Sequence, residues 1–307
     1  MCSITICIPT LKRPEGLDFL LKSISELTFT KQIPSRIEIC IADNDPQKSA
    51  EKVVEKWKRI IKWKIIYDVE SRPGIPFVRN KLVRMAADSD FIAFIDDDEI
   101  ASPQWLDELL NIQAKYNADV IMGPIIPYYK YNPPGWIVKG KFHYSSRFKD
   151  GVTESNLITW NLLIRQNLFG KLNLAFEERM ALTGGTDVLL GRLLKQAGIQ
   201  FYWSDRAIVK EIIPPERCQI KWLLLRRFRG GSSEVLIRRY SKEKGYRINS
   251  LLFAVRIILI GVLKGLTFVW NGKYTVVKGI GYVSQGIGLI WGLFGFAYEE
   301  YKSVHSL

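Results

Sequence analysis

The stretch Phe91 to Glu99 constrains the fold of this chain more than any other. It opens with a continuous run of apolar, aromatic and β-branched residues, Phe91 to Ile95, which predicts a strand buried on both faces. The run ends in four adjacent carboxylates, Asp96 to Glu99. Because these groups repel one another and sit at the tip of a buried strand, a hard divalent cation would relieve their cost. A solvated acidic turn that caps the next helix, with Ser102-Pro103 at its start, is the alternative.

Apolar runs alternate with helical patterns along the first hundred residues. Strands are predicted at residues 4–8, 37–42, 64–68 and 91–95, with helices in the three intervals between them. This alternation is typical of a doubly wound, mostly parallel sheet. Ligands bind outside the carboxyl ends of the strands in such sheets, and polar groups follow three of these strands, at Pro9-Thr10, Asp43 to Asp45 and Asp96 to Glu99.

The composition narrows the class of partner. The chain has 307 residues, 47% of them hydrophobic, which is enough for one large core and an appendage. Its net charge of +13 suits phosphorylated ligands, nucleic acid or an anionic membrane surface. The four cysteines have no metal-ligand spacing, and Cys7 and Cys40 fall inside predicted strands as small buried hydrophobes. No cleavable signal peptide precedes the first strand, so we expect the N-terminal part to face the reducing cytoplasm.

The C-terminal third has a different pattern. Residues 205–249 contain twelve Lys or Arg against five Asp or Glu, and two long apolar stretches follow at 251–270 and 274–296. Glycines four residues apart in each stretch, such as Gly261 with Gly265 and Gly288 with Gly292, predict close helix packing. We expect a catalytic domain over residues 1–215 and, over 216–307, a basic helix with a helical hairpin in the cytoplasmic leaflet. A two-helix membrane span is the next alternative, then a soluble subdomain or dimer interface. Nucleic-acid binding is disfavoured because the basic residues adjoin apolar segments and form no recognised motif.

Several motifs in a fixed order carry a resemblance to a known family. They read ICIPT at 6–10, IADND at 41–45, RPGIPFVRN at 72–80, FIDDDE at 94–99 and PQWL at 103–106. In these motifs the N-terminal half resembles the inverting glycosyltransferases of family 2, in a bacterial type with a C-terminal membrane-associated segment. The resemblance implies the GT-A fold, an α/β class with a doubly wound, mostly parallel sheet, here followed by a basic, apolar helical extension.

The resemblance also implies a donor site and a metal site. Asp96 to Asp98 would form a DXD-type motif, in which Asp98 is the direct ligand of Mn²⁺ or Mg²⁺ and Asp96 a second one. The implied nucleotide-sugar-binding residues are Pro9, Thr10, Arg13, Asp43, Asn44, Asp45, Gly74, Arg79, Asp96 and Asp97. The family pattern has Asp-Asp after the second strand, whereas this chain has Asn44 in the second place. Since an amide oxygen still accepts a hydrogen bond from a base N–H, we expect the site to persist with an altered base preference.

The motif Gly184-Gly185-Thr186-Asp187 predicts the start of a helix that Thr186 caps and Gly198 ends. Asp187 would then lie in the first turn, where the helix dipole favours its ionised form; a plain helix-start role is the alternative. The family's corresponding motif is Gly-Gly-Glu-Asp, and its Asp is the general base, so the resemblance implies that Asp187 is the catalytic base. On the acceptor or pyrophosphate side it implies Trp160, Asn161, Gly185, Thr186, Arg226 and Arg229.

The long segment Gly123 to Thr153 is rich in Tyr, Trp and Pro and is less patterned. Its aromatic side chains suit stacking on a sugar ring, but an ordinary surface loop is an equal alternative. His143 lies in this segment without a partner motif, and no chemical role is expected for it.

The expected function is transfer of a sugar from a nucleotide-diphosphate donor, with UDP favoured, to a hydroxyl of a membrane-linked glycan or lipid. The expected partners are this donor, that acceptor and an anionic membrane surface at the cytoplasmic face of the cell membrane, in cell-surface polysaccharide synthesis; a homo-oligomer is left open. A sugar-phosphate nucleotidyltransferase is an alternative, but Pro9 to Arg13 is not the Gly-rich phosphate loop that it would carry. A degenerate, non-catalytic carbohydrate-binding membrane protein is the second alternative, because Asn44 and Thr186 depart from the family pattern.

Overall fold

The computed structural model describes residues 2–267, 272–296 and 298. Within these residues the strands are β1 Ser3–Thr10, β2 Arg36–Asp43, β3 Lys64–Val69, β4 Phe91–Phe94, β5 Glu99–Ala101, β6 Val120–Met122, β7 Ile125–Tyr128, β8 Gly151–Thr153, β9 Leu162–Arg165, β10 Phe201–Trp203 and β11 Val209–Ile212. The α-helices are α1 Pro14–Ser25, α2 Glu51–Lys58, α3 Ile75–Met85, α4 Trp105–Tyr116, α5 Gly135–Lys139, α6 Asn167–Lys171, α7 Thr186–Gln196, α8 Ile220–Tyr240, α9 Tyr246–Leu266 and α10 Lys273–Leu293.

The strands form a large mixed sheet and a small one. The large sheet has the order β3-β2-β1-β4-β9-β6-β10-β8, and the small sheet has the order β5-β11-β7. Strands β1, β2, β3 and β4 run parallel, as the alternation of strands and helices predicts. Strand β9 runs antiparallel between β4 and β6. The chain therefore has the mostly parallel α/β architecture that the sequence pattern indicates.

Helices cover both faces of the large sheet. On β4, Phe91, Ala93 and Ile95 face a core shared with α1, α2 and α4, whereas Ile92 and Phe94 face a second core shared with α3 and α7. All five side chains are at most 2% exposed, which confirms the prediction of a strand buried on both faces. Cys7 and Cys40 are buried in the second core as free thiols, also as predicted.

The C-terminal helices pack through glycines. Gly261 of α9 lies against Gly279 of α10, and Gly286 lies against the α9 segment around Ala254, so these two helices form an antiparallel hairpin. Gly288 and Gly292 of α10 lie against Phe228 and Ser232 of α8, which runs parallel to α10. The predicted close packing at Gly261, Gly288 and Gly292 is confirmed, and α10 forms the middle of a three-helix layer. The division into two domains at residue 215 stays a prediction; β11 ends at Ile212 and a 3₁₀ turn, Pro215–Cys218, leads into α8.

Two local predictions were wrong. The helix predicted to start at Ser102-Pro103, α4, begins at Trp105 and has Gln104 as its N-cap. Ser102 to Gln104 instead form a turn in which the Trp105 amide donates to the Ser102 carbonyl.

The segment Gly123 to Thr153 is not one long loop, since it contains β7, α5 and β8. Its aromatic residues Tyr129, Tyr131, Trp136 and Phe142 pack against the start of α8 and against Val277 of α10. The His143 ring forms one hydrogen bond with the Tyr129 hydroxyl and another with the Arg217 carbonyl. It therefore joins this segment to the 3₁₀ turn Pro215–Cys218.

Candidate active site

The carboxyl ends of β1, β2 and β4 meet at one edge of the large sheet. Thr10 pairs in register with Asp43, and the Ile95 amide donates to the Cys7 carbonyl, so Asp96 begins directly beside β1. Thr10, Asp43 and Asp97 are each at most 4% exposed. The sequence prediction that these three polar strand ends lie together is confirmed.

Asp97 and Asp98 are held by three surrounding side chains. Asp97 accepts hydrogen bonds from the Thr10 hydroxyl at 2.8 Å and from the Arg13 guanidinium at 3.2 Å. Asp98 accepts from Arg13 at 3.0 Å and from Arg217 at 3.1 Å, both on its Oδ2 atom. Charge-assisted bonds of this kind are about twice as strong as neutral ones, so the carboxylates are fixed in place before any ligand arrives.

Burial opposes ionisation of the acidic groups at this edge. It raises the pKa of Asp97 to about 7, against the lowering effect of the Arg13 charge. It also raises the pKa of Asp96, of Glu211 and, most strongly, of Glu99, whose carboxylate accepts the Asp96 amide. The acidic groups at this edge outnumber the neighbouring arginines. An added cation would therefore lower the free-energy cost of ionising them.

Asp96 links the acidic strand end to two further predicted site residues. Its Oδ1 atom lies 3.6 Å from the guanidinium of Arg79, on α3. Arg79 is only 7% exposed, lies 5.6 Å from the Phe176 ring, and its Nε–H has no hydrogen-bond partner in the described chain. The negative charge of Asp187, in the first turn of α7, also contributes to the raised pKa of Asp96. Asp96, which follows β4, therefore pairs with Arg79 of α3, and the charge of Asp187 acts on the same carboxylate.

The loop after β2 is ordered by its own side chains. Asp43 accepts from the Tyr67 hydroxyl at 2.9 Å and from the amides of Asp45 and Ala50. The Asn44 amide group donates to the carbonyls of Glu70 and Arg72 at 2.7 Å each, and its oxygen accepts the Gly74 amide. Asp at this place could not donate to two carbonyls, which gives a physical reason for Asn. Contact of Asn44 with a base stays a prediction; its bonds in the structure order the loop that carries Gly74.

Gly74 and α3 connect the donor side to the segment before α7. Gly74 has φ +130°, and a Cβ there would lie 2.8 Å from the Ala181 carbonyl oxygen, so only glycine fits. Asn80 exchanges two hydrogen bonds with the backbone of Phe176, at 2.8 and 2.9 Å. The segment 176–185 is thus anchored to α3, and this contact fixes Asp187 relative to Arg79.

Comparison with known proteins decides the family. The model of glycosyl transferase family 2 matches residues 5–172, more than half of the chain. This chain belongs to glycosyl transferase family 2. It is 30% identical over 230 residues to the succinoglycan biosynthesis protein ExoM of Rhizobium meliloti, covering 75% of this chain and 73% of that protein.

Solved structures agree in fold. The mannosyltransferase PcManGT from Pyrobaculum calidifontis, in complex with GDP-Man and Mn²⁺, has a TM-score of 0.64 at 12% identity, covering 94% of this chain and 87% of that one. Residues 1–349 of S. aureus TarS, in complex with UDP-GlcNAc, have a TM-score of 0.55 at 15% identity, covering 97% and 93%. The glycosyltransferase therefore has the GT-A fold, as the sequence resemblance implies.

At the start of α7 the glycosyltransferase differs from the sequence prediction in one detail. The N-cap is Gly185, with φ +87°, and Thr186 is the first helical residue. Thr186 is 1% exposed and its hydroxyl has no partner in the described chain, so the predicted capping bond is wrong. The predicted place of Asp187 in the first turn is confirmed, as is the end of the helix just before Gly198, which has φ +80°.

The predicted acceptor-side residues divide into two groups. Asn161 is completely buried. Its side-chain oxygen accepts from the Trp105 indole N–H, and its side-chain nitrogen donates to the carbonyls of Pro124 and Ala207. It therefore supports the fold and does not face a ligand. Trp160 is partly buried, and its indole N–H has no partner in the described chain. Arg226 and Arg229 lie within the continuous helix α8, where Arg226 contacts the Trp222 ring at 5.0 Å. Roles for Trp160, Arg226 and Arg229 in binding remain predictions.

Two residues at the site were missed from the sequence. Glu211 on β11 pairs in register with Glu99, and Arg217 bridges Glu211 at 2.6 Å to Asp98 at 3.1 Å. The sequence contains one signal for them: Glu211 is a charged residue near the end of the short strand Val209–Ile212, and Pro-Pro-Glu-Arg follows at 214–217. The small sheet, which carries Glu211 to the acidic strand end, could not be inferred from local pattern.

Proposed function

We propose that this glycosyltransferase moves a sugar, with inversion, from a nucleotide-diphosphate donor to a hydroxyl of a membrane-linked glycan or lipid in cell-surface polysaccharide synthesis. One observation carries the proposal: Asp96 lies 3.6 Å from Arg79 where the strand ends meet, and the segment that leads to Asp187 is anchored to the same helix α3. A carboxylate paired with an arginine suits departure of a diphosphate, and a second, separate carboxylate suits activation of an incoming hydroxyl.

The donor half of the site would be built from β1, β2 and α3. Pro9, Thr10 and the loop Asp43 to Asp45 would hold the nucleoside, and Gly74 would allow close approach. Arg13 and Arg79 would bind the diphosphate, since the unpartnered Nε–H of Arg79 needs an acceptor. UDP is the favoured nucleotide; the TarS structure contains UDP-GlcNAc, while PcManGT contains GDP-Man.

The acidic residues fit a divalent cation. The described residues contain no group of three or more His, Cys, Asp or Glu side chains that could hold a metal ion. Mg²⁺ and Mn²⁺ sites often use one or two carboxylates and complete their shell with substrate phosphates, and the excess of buried carboxylates favours such a cation. Asp98 and Asp96 would hold it, and the bound cation would neutralise the leaving diphosphate.

Asp187 would accept the proton of the attacking hydroxyl. It lies in the first turn of α7, where its Oδ1 atom accepts the Val188 amide. Thr186 replaces the Glu of the family motif, and its buried hydroxyl without a partner is available to position an acceptor group. Trp160, with its unpartnered indole N–H, would line the same side.

A membrane-linked acceptor is supported by the outer surface of the helix layer. Among the described helices, α9 alone is long and apolar enough to cross a membrane. Its outward side chains Leu252, Leu259, Leu263 and Leu266 are 58–67% exposed. The same helix layer carries cations: Lys264 of α9 and Arg227 of α8 lie 5.7 and 5.2 Å from the Tyr282 ring of α10. A layer with an exposed apolar stripe and cations matches helices lying in the interface of an anionic leaflet. The ExoM relative is a succinoglycan biosynthesis protein, which supports a role in polysaccharide synthesis.

The two alternatives have less support. A sugar-phosphate nucleotidyltransferase does not agree with membership of family 2. A non-catalytic binding protein would have no need for a carboxylate in the first turn of α7, on the segment that is anchored to α3.

Donor screening tests the proposal. Purified protein is offered a panel of UDP-, GDP- and dTDP-sugars with Mn²⁺, Mg²⁺ or chelator, and hydrolysis and thermal shift are measured. We expect a subset of donors to stabilise and to be slowly hydrolysed only with metal, and Asp98→Ala to lose both responses. Equal UDP affinity with and without chelator would contradict the metal assignment, and no response to any donor would contradict the function.

A further inference from the structure

Arg217 connects the acidic strand end to the C-terminal helices. It lies in the 3₁₀ turn Pro215–Cys218, between β11 and α8, and its side chain is 15% exposed. One terminal nitrogen, Nη1, contacts Glu211 at 2.6 Å, and the other, Nη2, contacts Asp98 at 3.1 Å. The guanidinium thus bridges a carboxylate of the small sheet and the Asp residue expected to bind metal.

The same Asp98 oxygen also accepts Arg13, at 3.0 Å. A divalent cation bound to this carboxylate would repel both guanidiniums, so its arrival favours the departure of one of them. The two arginines differ in what they then lose. Arg13 uses one nitrogen, Nη1, for both Asp97 and Asp98, so it keeps a partner. Arg217 uses separate nitrogens, and its Nη2 would be left as a buried donor without an acceptor, which is costly.

We propose that Arg217 changes partner when the donor binds: its Nη2 group leaves Asp98 and donates to the diphosphate of the nucleotide sugar. Glu211 keeps its bond to Nη1 and acts as the pivot, which makes it a positioning residue. Because a cation on Asp98 would complete its shell with diphosphate oxygens, the diphosphate would lie within reach of the freed donor. The inference rests on the proposed function only in assuming a metal and a nucleotide diphosphate at this site.

The surroundings of Arg217 favour rotation of its side chain over movement of its backbone. Pro214 precedes the turn and Pro215 begins it, and the Arg217 amide donates to the Pro214 carbonyl. The Arg217 carbonyl accepts from Nε2 of His143 at 3.1 Å. These two bonds fix the backbone of Arg217. The guanidinium lies 5.8 Å from the Trp222 ring, and a cation–π contact of this kind allows the side chain to rotate.

This exchange predicts changes of opposite sign in two binding constants. In Arg217→Ala the competing cation is absent from Asp98, so Mn²⁺ alone should bind tighter, by about fivefold or more. UDP measured at saturating Mn²⁺ should bind weaker, by about tenfold to hundredfold, because a charge-assisted bond to the diphosphate is lost. Mn²⁺ binding is measured by electron paramagnetic resonance without nucleotide, and UDP binding by calorimetry.

Two further variants control for lost packing and for a general loss of positive charge. The double variant Glu211→Gln with Arg217→Gln replaces the ion pair by a neutral hydrogen-bonding pair of similar size, so it preserves packing and should show the same two shifts. Arg147→Ala removes an arginine that pairs with Asp205 on the surface and should change neither constant. A melting curve for each variant confirms folding.

Parallel weakening of Mn²⁺ and UDP in both Arg217 variants would overturn the proposal and leave Arg217 a structural residue. Unchanged UDP affinity, or no Mn²⁺ binding by any variant, would also overturn it. These measurements need no sugar transfer. Opposite shifts in a protein that transfers no sugar would therefore support the exchange while contradicting the proposed function.

Discussion

The sheet domain, which is the region from β1 to β11 (residues 3–212), and the C-terminal helix layer, α8 to α10, use the same residue types in opposite ways. Aliphatic residues of β1, β2 and β4 are completely or almost completely buried, whereas Leu252 and Leu263 of α9 are each 64% exposed. Buried charges in the sheet domain pair with one another, as in the Arg13, Asp97 and Asp98 cluster, while Lys264 and Arg227 lie against an aromatic ring. The sheet domain buries most of its apolar residues and pairs most of its buried charges, whereas the helix layer leaves a continuous apolar surface that a membrane could cover.

Glycine shows the same contrast. Gly74 in the sheet domain provides a positive φ and close approach to Ala181. Glycines of the helix layer have helical geometry and permit backbones to touch, as at Gly288 and Phe228. Small residues at helix interfaces are how helices pack where the hydrophobic effect between them is weak, as in lipid. The difference suggests that one region folds around its own core and the other around contact between backbones, and four changes can test it.

The largest expected effect is confined to the sheet domain. Asp187→Asn keeps the size of the side chain but removes the proton acceptor, so turnover should fall by about 10²–10⁴-fold. Donor affinity and binding to anionic vesicles should stay within about twofold of wild type, because neither uses the proton acceptor. Near-normal transfer by this variant would return Asp187 to a helix-start role.

The next effect is confined to the helix layer. Leu259→Glu with Leu263→Glu places two charges on the exposed stripe of α9, where the side chains are 58% and 64% exposed. Binding to vesicles containing anionic lipid should weaken by at least about a hundredfold, since each buried leucine contributes about 1.5–3 kcal/mol. The matched control is Ile33→Glu with Ile60→Glu, which alters two aliphatic residues of the sheet domain that are 67% and 56% exposed. Equal loss in both variants, or none in either, would contradict the membrane interpretation.

A pair of glycine substitutions tests the packing of α8 on α10. A methyl group on Gly288 would collide with the Phe228 carbonyl oxygen, whereas one on Gly230 of α8 would meet nothing within 4 Å. Gly288→Ala should lower the free energy of unfolding by about 1–3 kcal/mol. Gly230→Ala should raise it by about 0.5–1 kcal/mol, because alanine is the better helix former. Thermal unfolding in detergent measures both, and effects of the same sign would show that the helices are not packed as described.

The smallest effect concerns the seam between the regions, where His143 contacts Tyr129 and Arg217. Burial lowers the pKa of His143 to about 4, from 6.5 in the unfolded chain. The unfolded state therefore binds the proton first, and stability falls as the pH falls from 6.5 towards 4. Between pH 7 and 5.5 the loss should be about 1 kcal/mol.

His143→Gln isolates this contribution. The raised pKa of Asp97 acts in the opposite sense, because the folded state then holds a proton that the unfolded state releases. The difference in unfolding free energy between wild type and variant removes this background. A difference that does not change with pH would contradict a neutral, buried His143.

Residues 3–101 show how much local pattern predicts. The strands β1 to β4 and the helices between them lie where the apolar periodicity indicates, since each element buries its own face and the period is set locally. The convergence of Thr10, Asp43 and Asp96 follows from that, because parallel strands bring their carboxyl ends to one edge. The motif order was sufficient to indicate family 2, which the comparisons confirm.

The roles of some site residues depended on contacts between segments that are distant in the sequence. Asn161 resembles an acceptor-site residue in sequence, but the fold directs its amide group to Trp105, 56 positions away, and to two backbone carbonyls. Thr186 has the sequence of a helix cap, yet Gly185 with its positive φ takes that position. Polar side chains form whichever bonds the assembled backbone offers, and local preference does not determine that choice.

The sequence by itself determined the α/β order, the acidic strand end, the first-turn place of Asp187 and the presence of a basic, apolar C-terminal region. Each of these depends on residues that are near in the chain, so periodicity and spacing are enough to specify them. Only the tertiary structure decided that Glu211 and Arg217 meet Asp98, which is 119 residues from Arg217, and that α10 lies between α8 and α9. Such contacts are selected by the packing of whole elements and by the burial of charge, and these are properties of the assembled fold.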